Sequence, residues 1–287
     1  MADERMTPRR AAMRLMRLWR LYAKMDLLWM LRDMRSVLFW IVSDSVFALG
    51  TVSGTFLLAA RFGGIGRWDL PRVIFLLGYA LVVGGIPSVL FNYNVAFISR
   101  RIGRGQLDHT LIQPQPIWMA LLTEGFAPFT AAMTLLPGVA LLVWATGAAH
   151  LAVSAGWVAL LLLNLGGSAA IALGFTYLWG TLAFWAPRAA EEINTSTWRL
   201  LDQLAPFPFD GIGLGLLGGL LTVVPVGLVA WYPARVLVGL DHSPVAPFVA
   251  PLAAIVFVAL AAWAFGRGMK QYGRTGSQRY LSLGHRS

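Results

Sequence analysis

Residues 99–116, SRRIGRGQLDHTLIQPQP, concentrate Arg100, Arg101 and Arg104 with Asp108, two glycines and two prolines between two long apolar runs. Arginines are permanent cations with a planar fork of donors, so their chemistry here is recognition of carboxylates or phosphates, not proton transfer. Gly103 and Gly105 permit a tight turn, and Pro114 and Pro116 stop a helix and set where the next run begins. Two acids, Asp44 and Glu124, fall inside apolar runs toward the ends that face this segment. Each is expected to pair with a loop arginine at the membrane interface, or else to line a path. Asn92, Asn94 and Asn164 read as helix-to-helix hydrogen bonders. No acid is expected at the middle of a run, which weighs against ion-coupled transport.

Catalytic patterns are missing from the chain. The only lysines, Lys24 and Lys270, follow Ala and Met, so there is no phosphate-binding loop of the G-x-x-x-x-G-K type. His109, His150, His242 and His285 have no metal-ligand spacing, and there is no cysteine. The stretch GGSAA at 166–170 resembles a nucleophile elbow only faintly and lies in an apolar run without a nearby histidine. We therefore expect no enzyme activity, metal or cofactor on this chain.

The composition says what surrounds these residues. Of 287 residues 57% are hydrophobic and 13% charged, against about 25% charged in soluble domains. Mean hydropathy is +0.66. The net charge of +10 would suit nucleic acid, but the cations sit at the chain ends and beside apolar runs, a pattern suited to a membrane surface.

The elements follow from periodicity. Residues 9–34 read as one helix with Arg10, Arg14, Arg17, Arg20 and Lys24 on one stripe and Leu15, Leu18, Trp19 and Tyr22 opposite. Such a helix is expected to lie in the headgroup plane, its stripe toward anionic lipid, with Asp26 paired to an arginine. Six spans are expected at 37–60, 73–98, 117–146, 156–185, 211–229 and 248–265, each long enough at about 1.5 Å per residue to cross the hydrocarbon. Residues 186–210 read as a second polar loop, 231–247 as irregular, and 267–287 as a basic tail. The fold class is thus an all-α membrane protein in three parts: an arm (1–36), a six-span domain (37–266) and a tail (267–287). Nineteen of the lysines and arginines lie on the side of the termini, 99–116 and 186–210, and four on the other. The positive-inside rule then places both termini in the cytoplasm.

With these features in hand, the chain resembles the permease subunits of ATP-binding-cassette (ABC) exporters of the second permease type. The resemblance rests on the amphipathic helix before the first span and on the arginine-rich, Gly-then-Leu-Asp, Leu-x-x-Pro pattern at 100–114. It rests also on Val224-Pro225 followed by Trp231-Tyr232-Pro233-Ala234, and on GRGMKQYGRTG at 266–276. It covers nearly the whole chain.

The resemblance implies a half-transporter in a bacterial cytoplasmic membrane. Two permease subunits, identical or paired, would be driven by two cytoplasmic ATPases, which carry the ATP and Mg. A coupling helix would lie at 100–111, with Arg100, Arg101, Arg104, Gly105, Leu107, Asp108 and Leu111 touching the ATPase. The first, second and fifth spans would line the path, and 231–247 would form an outer re-entrant segment. The substrate would be amphipathic, lipid-like, drug-like, or a peptide or polysaccharide. The alternatives are an ion-driven secondary transporter and a membrane anchor that transports nothing.

Overall fold

The computed structural model describes residues 8–91 and 97–276. Asn92, Asn94 and residues 277–287 of the expected tail lie outside the described residues. The elements in chain order are α1 (Pro8–Arg32), α2 (Met34–Phe62), a two-stranded hairpin of β1 (Gly64–Ile65) and β2 (Trp68–Asp69), α3 (Leu70–Phe91), α4 (Ile98–Gly103), α5 (Gln106–Leu111) and α6 (Ile117–Thr123). They continue with α7 (Leu136–Ala148), α8 (Ala155–Gly180), α9 (Pro187–Leu204), α10 (Leu214–Thr222), α11 (Tyr232–Leu237) and α12 (Ala246–Thr275). Short 3-10 turns at Ala131–Leu135 and Thr181–Phe184 precede α7 and follow α8, and a π-helical turn at Gly227–Trp231 precedes α11.

Local chemistry sets the ends of the long helices. The Asp33 carboxylate accepts from the Ser36 N–H at 3.3 Å, and the Ser154 hydroxyl from the Trp157 N–H at 3.1 Å, each satisfying a first-turn donor of α2 and α8. At the far end of α2, Gly63 takes φ +73°, the left-handed conformation that stops a helix and turns the chain into the hairpin. Of the prolines inside apolar runs, Pro137 starts α7 and Pro225 sits at the break after α10, while α3 continues through Pro87.

Close contacts give the direction of each helix. A Cβ at Gly78 of α3 would stand 2.8 Å from the Leu142 nitrogen, and one at Gly138 of α7 2.9 Å from the Val82 nitrogen, so α3 and α7 are antiparallel with backbones in contact. Gly167 meets Pro251 and Gly174 meets Phe257, so α8 and α12 run parallel. Tyr79 and Ser168, 2.9 Å apart in the core, join α3 to α8. The molecule therefore has a handle end, carrying α4 and α5, and a hairpin end, carrying β1 and β2.

Here the structure corrects the sequence reading. α8 ends beside α4, and α12 begins at the hairpin end, where Asn164 donates to the Pro247 carbonyl at 3.1 Å. Some segment between them must run the length of the bundle. Residues 186–210, expected as a loop, do so as α9 and its extension. Asn194 bonds Ser99 at the handle end, Asp202 lies against Gly84 of α3, and Asp210 bonds Trp68 of the hairpin. The pair expected to supply the fifth span does not traverse. α10 and the Gly227–Leu237 helix are bent by 80°, and both limbs stay at the hairpin end. Phe209 and Asp210 touch Trp231 there, and the Leu237 carbonyl accepts from the Trp157 indole at 3.0 Å. The re-entrant segment thus begins before residue 231. Among the described residues the helices that run along the bundle are α2, α3, α7, α8, α9 and α12; α2, α3, α8, α12 and α7 with its preceding 3-10 turn are long and apolar enough to cross a membrane, and α9 is amphipathic.

Two smaller corrections concern continuity. The run 117–146 breaks into α6, an irregular stretch and α7, so Glu124 caps the end of α6 and is not inside a span. The first part of the expected tail is helical, because α12 continues unbroken to Thr275.

Candidate functional site

The handle is two single-turn helices meeting at Gly105, whose φ of +69° is open to glycine at little cost. One side of it is built into the molecule. Ile98, Ile102 and Leu107 pack with Leu121, Ala183, Phe184, Ala190 and Tyr272 in a hydrophobic cluster separate from the main core. Polar links surround that cluster. The Ser99 hydroxyl donates to the Asn194 side-chain oxygen at 2.7 Å, and the Asn194 amide donates to the Thr176 carbonyl at 3.1 Å, joining α4, α9 and α8. Arg101 donates to Glu124 at 2.5 Å and to Thr110 at 3.1 Å. Arg100 pairs with Glu191 of α9 at 3.1 Å and lies over the Phe97 ring. The Tyr272 hydroxyl of α12 donates to Asp108.

The other side faces outward. Arg104, Gln106, His109, Leu111, Ile112 and Gln113 are exposed, and Ile112 stands 81% exposed among polar neighbours. The residues expected to touch a partner therefore divide. Arg100, Arg104 and Leu111 are exposed. Arg101, at 8% exposure, Leu107 and Gly105 are buried, and Asp108 is turned to Tyr272. The cause is helical geometry: successive side chains turn by about 100°, so a short helix held against a bundle buries some of them and leaves others outside. Ile112, Gln106 and His109 were missed. Their signal was a pair of apolar residues, Leu111 and Ile112, just before Gln113 and Pro114.

The expected pairing of Glu124 with a loop arginine holds, with Arg101 as the partner. That of Asp26 does not. Its carboxylate accepts the Phe129 and Thr130 N–H groups at 2.7 and 3.1 Å, satisfying the backbone ahead of the 3-10 turn before α7. Trp19 faces inward, on the side opposite the exposed basic residues. Its indole donates to the Leu122 carbonyl at 2.9 Å and stacks on Phe126, and Arg14 donates to the Pro114 carbonyl at 2.9 Å. The inner face of α1 is thus fastened to the segment that follows the handle. Arg10, Arg17 and Lys24 stay exposed on the opposite face.

Asp44 has no ion pair among the described residues. It lines a cavity of about 750 Å³ between α2, α3, residues 127–133 and α9. Asp202 of α9 lines the same cavity, so a carboxylate does lie within the length of the bundle, contrary to expectation. Reading 186–210 as a loop had hidden it. Among the described residues no group of three or more His, Cys, Asp or Glu side chains is placed to hold a metal ion.

Comparison with known proteins gives one family match: residues 46–276 fit the family described as ABC-2 family transporter protein. No curated protein and no solved structure matches the chain. The matched region contains the handle, the α3 and α9 walls of the cavity and the long helices apart from the first twelve residues of α2; Asp44 and the other cavity residues before 46 lie outside it.

Proposed function

The chain belongs to the ABC-2 transporter family, a multi-pass membrane permease component of an ABC transporter, and from that premise we propose that it is an exporter subunit moved by separate cytoplasmic ATPases. The observation that carries the proposal is the two-sided handle. Its inner side is tied to α6, α8, α9 and α12, while its outer side presents Arg104, His109, Leu111 and the bare Ile112. An exposed apolar pair beside an arginine and a histidine is suited to a partner's pocket. The handle and both termini face the cytoplasm in this reading, as the charge asymmetry supports. The exposed basic stripe of α1 meets anionic headgroups there.

ATP and Mg are bound by the ATPases, and this chain contributes movement alone. Closure of the ATPases draws the handle with it. Through Asn194, Glu124 and Tyr272 the displacement reaches α9, α6 and α12 together, and the cavity beside α9 changes its opening. Two copies of the permease, or this chain and a paired one, enclose the path in the membrane of a bacterial cell.

Because the chain has no native cysteine, the arrangement can be tested at one residue. In Ile112→Cys, a membrane-impermeant maleimide labels inside-out vesicles and not right-side-out cells. Bound ATPase protects the thiol. Labelling from outside the cell, or labelling unaffected by the ATPase, would falsify the proposal. A second reading, transport driven by an ion gradient, gains support from Asp202 within the bundle. It predicts substrate accumulation in vesicles that lack ATPase and carry only a proton gradient.

A further inference from the structure

The cavity between α2, α3 and α9 has a chemical character that the family match does not specify. Its volume of about 750 Å³ falls in the range of small-molecule sites, about 300–1,000 Å³. Trp29, Trp40, Phe47 and Trp198 supply aromatic surface, and among the described residues Asp44 and Asp202 supply the only charges, with no lysine, arginine or histidine in the lining. Neither carboxylate forms an ion pair or hydrogen bond among the described residues, whereas Asp210, Asp26, Glu124 and Glu191 are all engaged. Gly84 and Gly85 keep the α3 wall open, and the nearest atom to a Cβ at Gly84 would be an Asp202 carboxylate oxygen at 3.7 Å.

We propose that this cavity binds an organic cation of amphipathic character, with Asp44 and Asp202 as its counter-charges and the aromatic side chains as its apolar walls. The physical reasoning is direct. Carboxylates within a membrane protein's bundle are costly unless something offsets them, and they face an interior or an aqueous cavity for that reason. Here no protein cation offsets either one. A diffusible cation would do so, and the faces of tryptophan rings attract cations as well as apolar groups. An anion of the same size meets two like charges and no donor side chain of opposite sign. The two acids sit on different helices: Asp44 on α2, which has few buried residues, and Asp202 on α9, which is tied to the handle through Asn194. A cation held between them is thus gripped from one element that moves with the handle and one that does not. The inference rests on the permease reading for its purpose and on the cavity alone for its chemistry.

Tetraphenylphosphonium and tetraphenylborate have the same four-phenyl shape and opposite charge, which makes them the probes. Their binding is measured by equilibrium dialysis on the full-length chain in lipid nanodiscs, with and without its ATPase subunits. The phosphonium is expected to bind saturably and the borate not to displace it. Asp44→Asn and Asp202→Asn should each weaken binding about tenfold, the effect of losing one charged contact, while Asp44→Glu restores it. Should Asp202→Asn disturb folding, Asp44→Asn on the loosely packed α2 provides the same reading. Equal binding of the two ions, or wild-type affinity in Asp44→Asn, overturns the inference. Ile112→Asp serves as the separate control. It detaches the ATPase if the permease reading holds and leaves phosphonium affinity unchanged, so the two ideas fail by different measurements.

Discussion

The two ends of the bundle are held together in different ways. At the hairpin end one carboxylate organises everything: Asp210 accepts the Trp68 indole at 2.5 Å and the Trp231 indole at 2.7 Å, and pairs with Arg235 at 3.1 Å. Arg235 also lies over the Trp231 ring, and these residues merge with the main core through Phe209, Trp231 and Leu237. At the handle end the load is spread. A small cluster of its own is surrounded by two links from α4 to α9, one from α4 to the end of α6, and one from α12 to α5. A region centred on one buried charge cannot shift without exposing that charge. A region of separate modest contacts can move as a body, losing one link at a time. In the proposed mechanism the hairpin end is the fixed frame and the handle end the lever.

Substitutions can break or sharpen that contrast. The largest effect is expected for Asp210→Ala, which strands Arg235 and two indole donors; it should cost about 3 kcal/mol, at the lower end for breaking a buried ion pair. The measurement is thermal unfolding in detergent, and a wild-type midpoint would remove the claim of a fixed frame. Asn194→Ala is next. It deprives the buried Ser99 hydroxyl and Thr176 carbonyl of partners, and about 2 kcal/mol is expected for groups left unsatisfied. The same variant should uncouple ATP hydrolysis from transport while the ATPase stays bound, as assayed in proteoliposomes.

Arg101→Ala comes third. Glu124 is partly exposed, so solvent can replace the lost partner, and about 1 kcal/mol is expected on the same unfolding assay. The smallest effect on stability belongs to Ile112→Asp and Arg104→Ala, within about 0.5 kcal/mol because neither side chain is packed in the chain itself. Their effect should appear instead in ATPase co-purification, where Ile112→Asp loses the partner. If Arg101→Ala loses the partner while keeping its fold and Ile112→Asp does not, the two faces of the handle have been assigned the wrong way round.

Much of this was legible in the residues, and the misses have a common cause. Apolar runs of span length were found where their neighbours are uniformly apolar, as in α3 and α8. The Arg101–Glu124 pair was foreseeable because a carboxylate beside an arginine-rich turn has few better partners. α9 was missed because it is amphipathic: Ala190, Asn194, Leu201 and Leu204 face the protein, Glu192 and Arg199 are exposed, and Asp202 opens onto the cavity. A count of charges reads that mixture as a loop. The three- and four-residue spacing of 190, 194, 197, 201 and 204 was the available signal. α10 misled in the opposite sense, being apolar enough to span yet followed by Pro225 and an 80° bend.

By itself the residue order determined that the chain lives in a membrane and that it has no phosphate-binding loop of the G-x-x-x-x-G-K type. Those properties are sums over composition and local spacing, and no contact between distant segments can alter them. Only the tertiary structure decided which polar helix makes the fifth traverse, which side of the handle is free, and that Asp44 and Asp202 share one cavity. Each of these depends on residues brought together from far apart in the chain, and packing selects such pairings through burial and hydrogen bonding that no local pattern encodes.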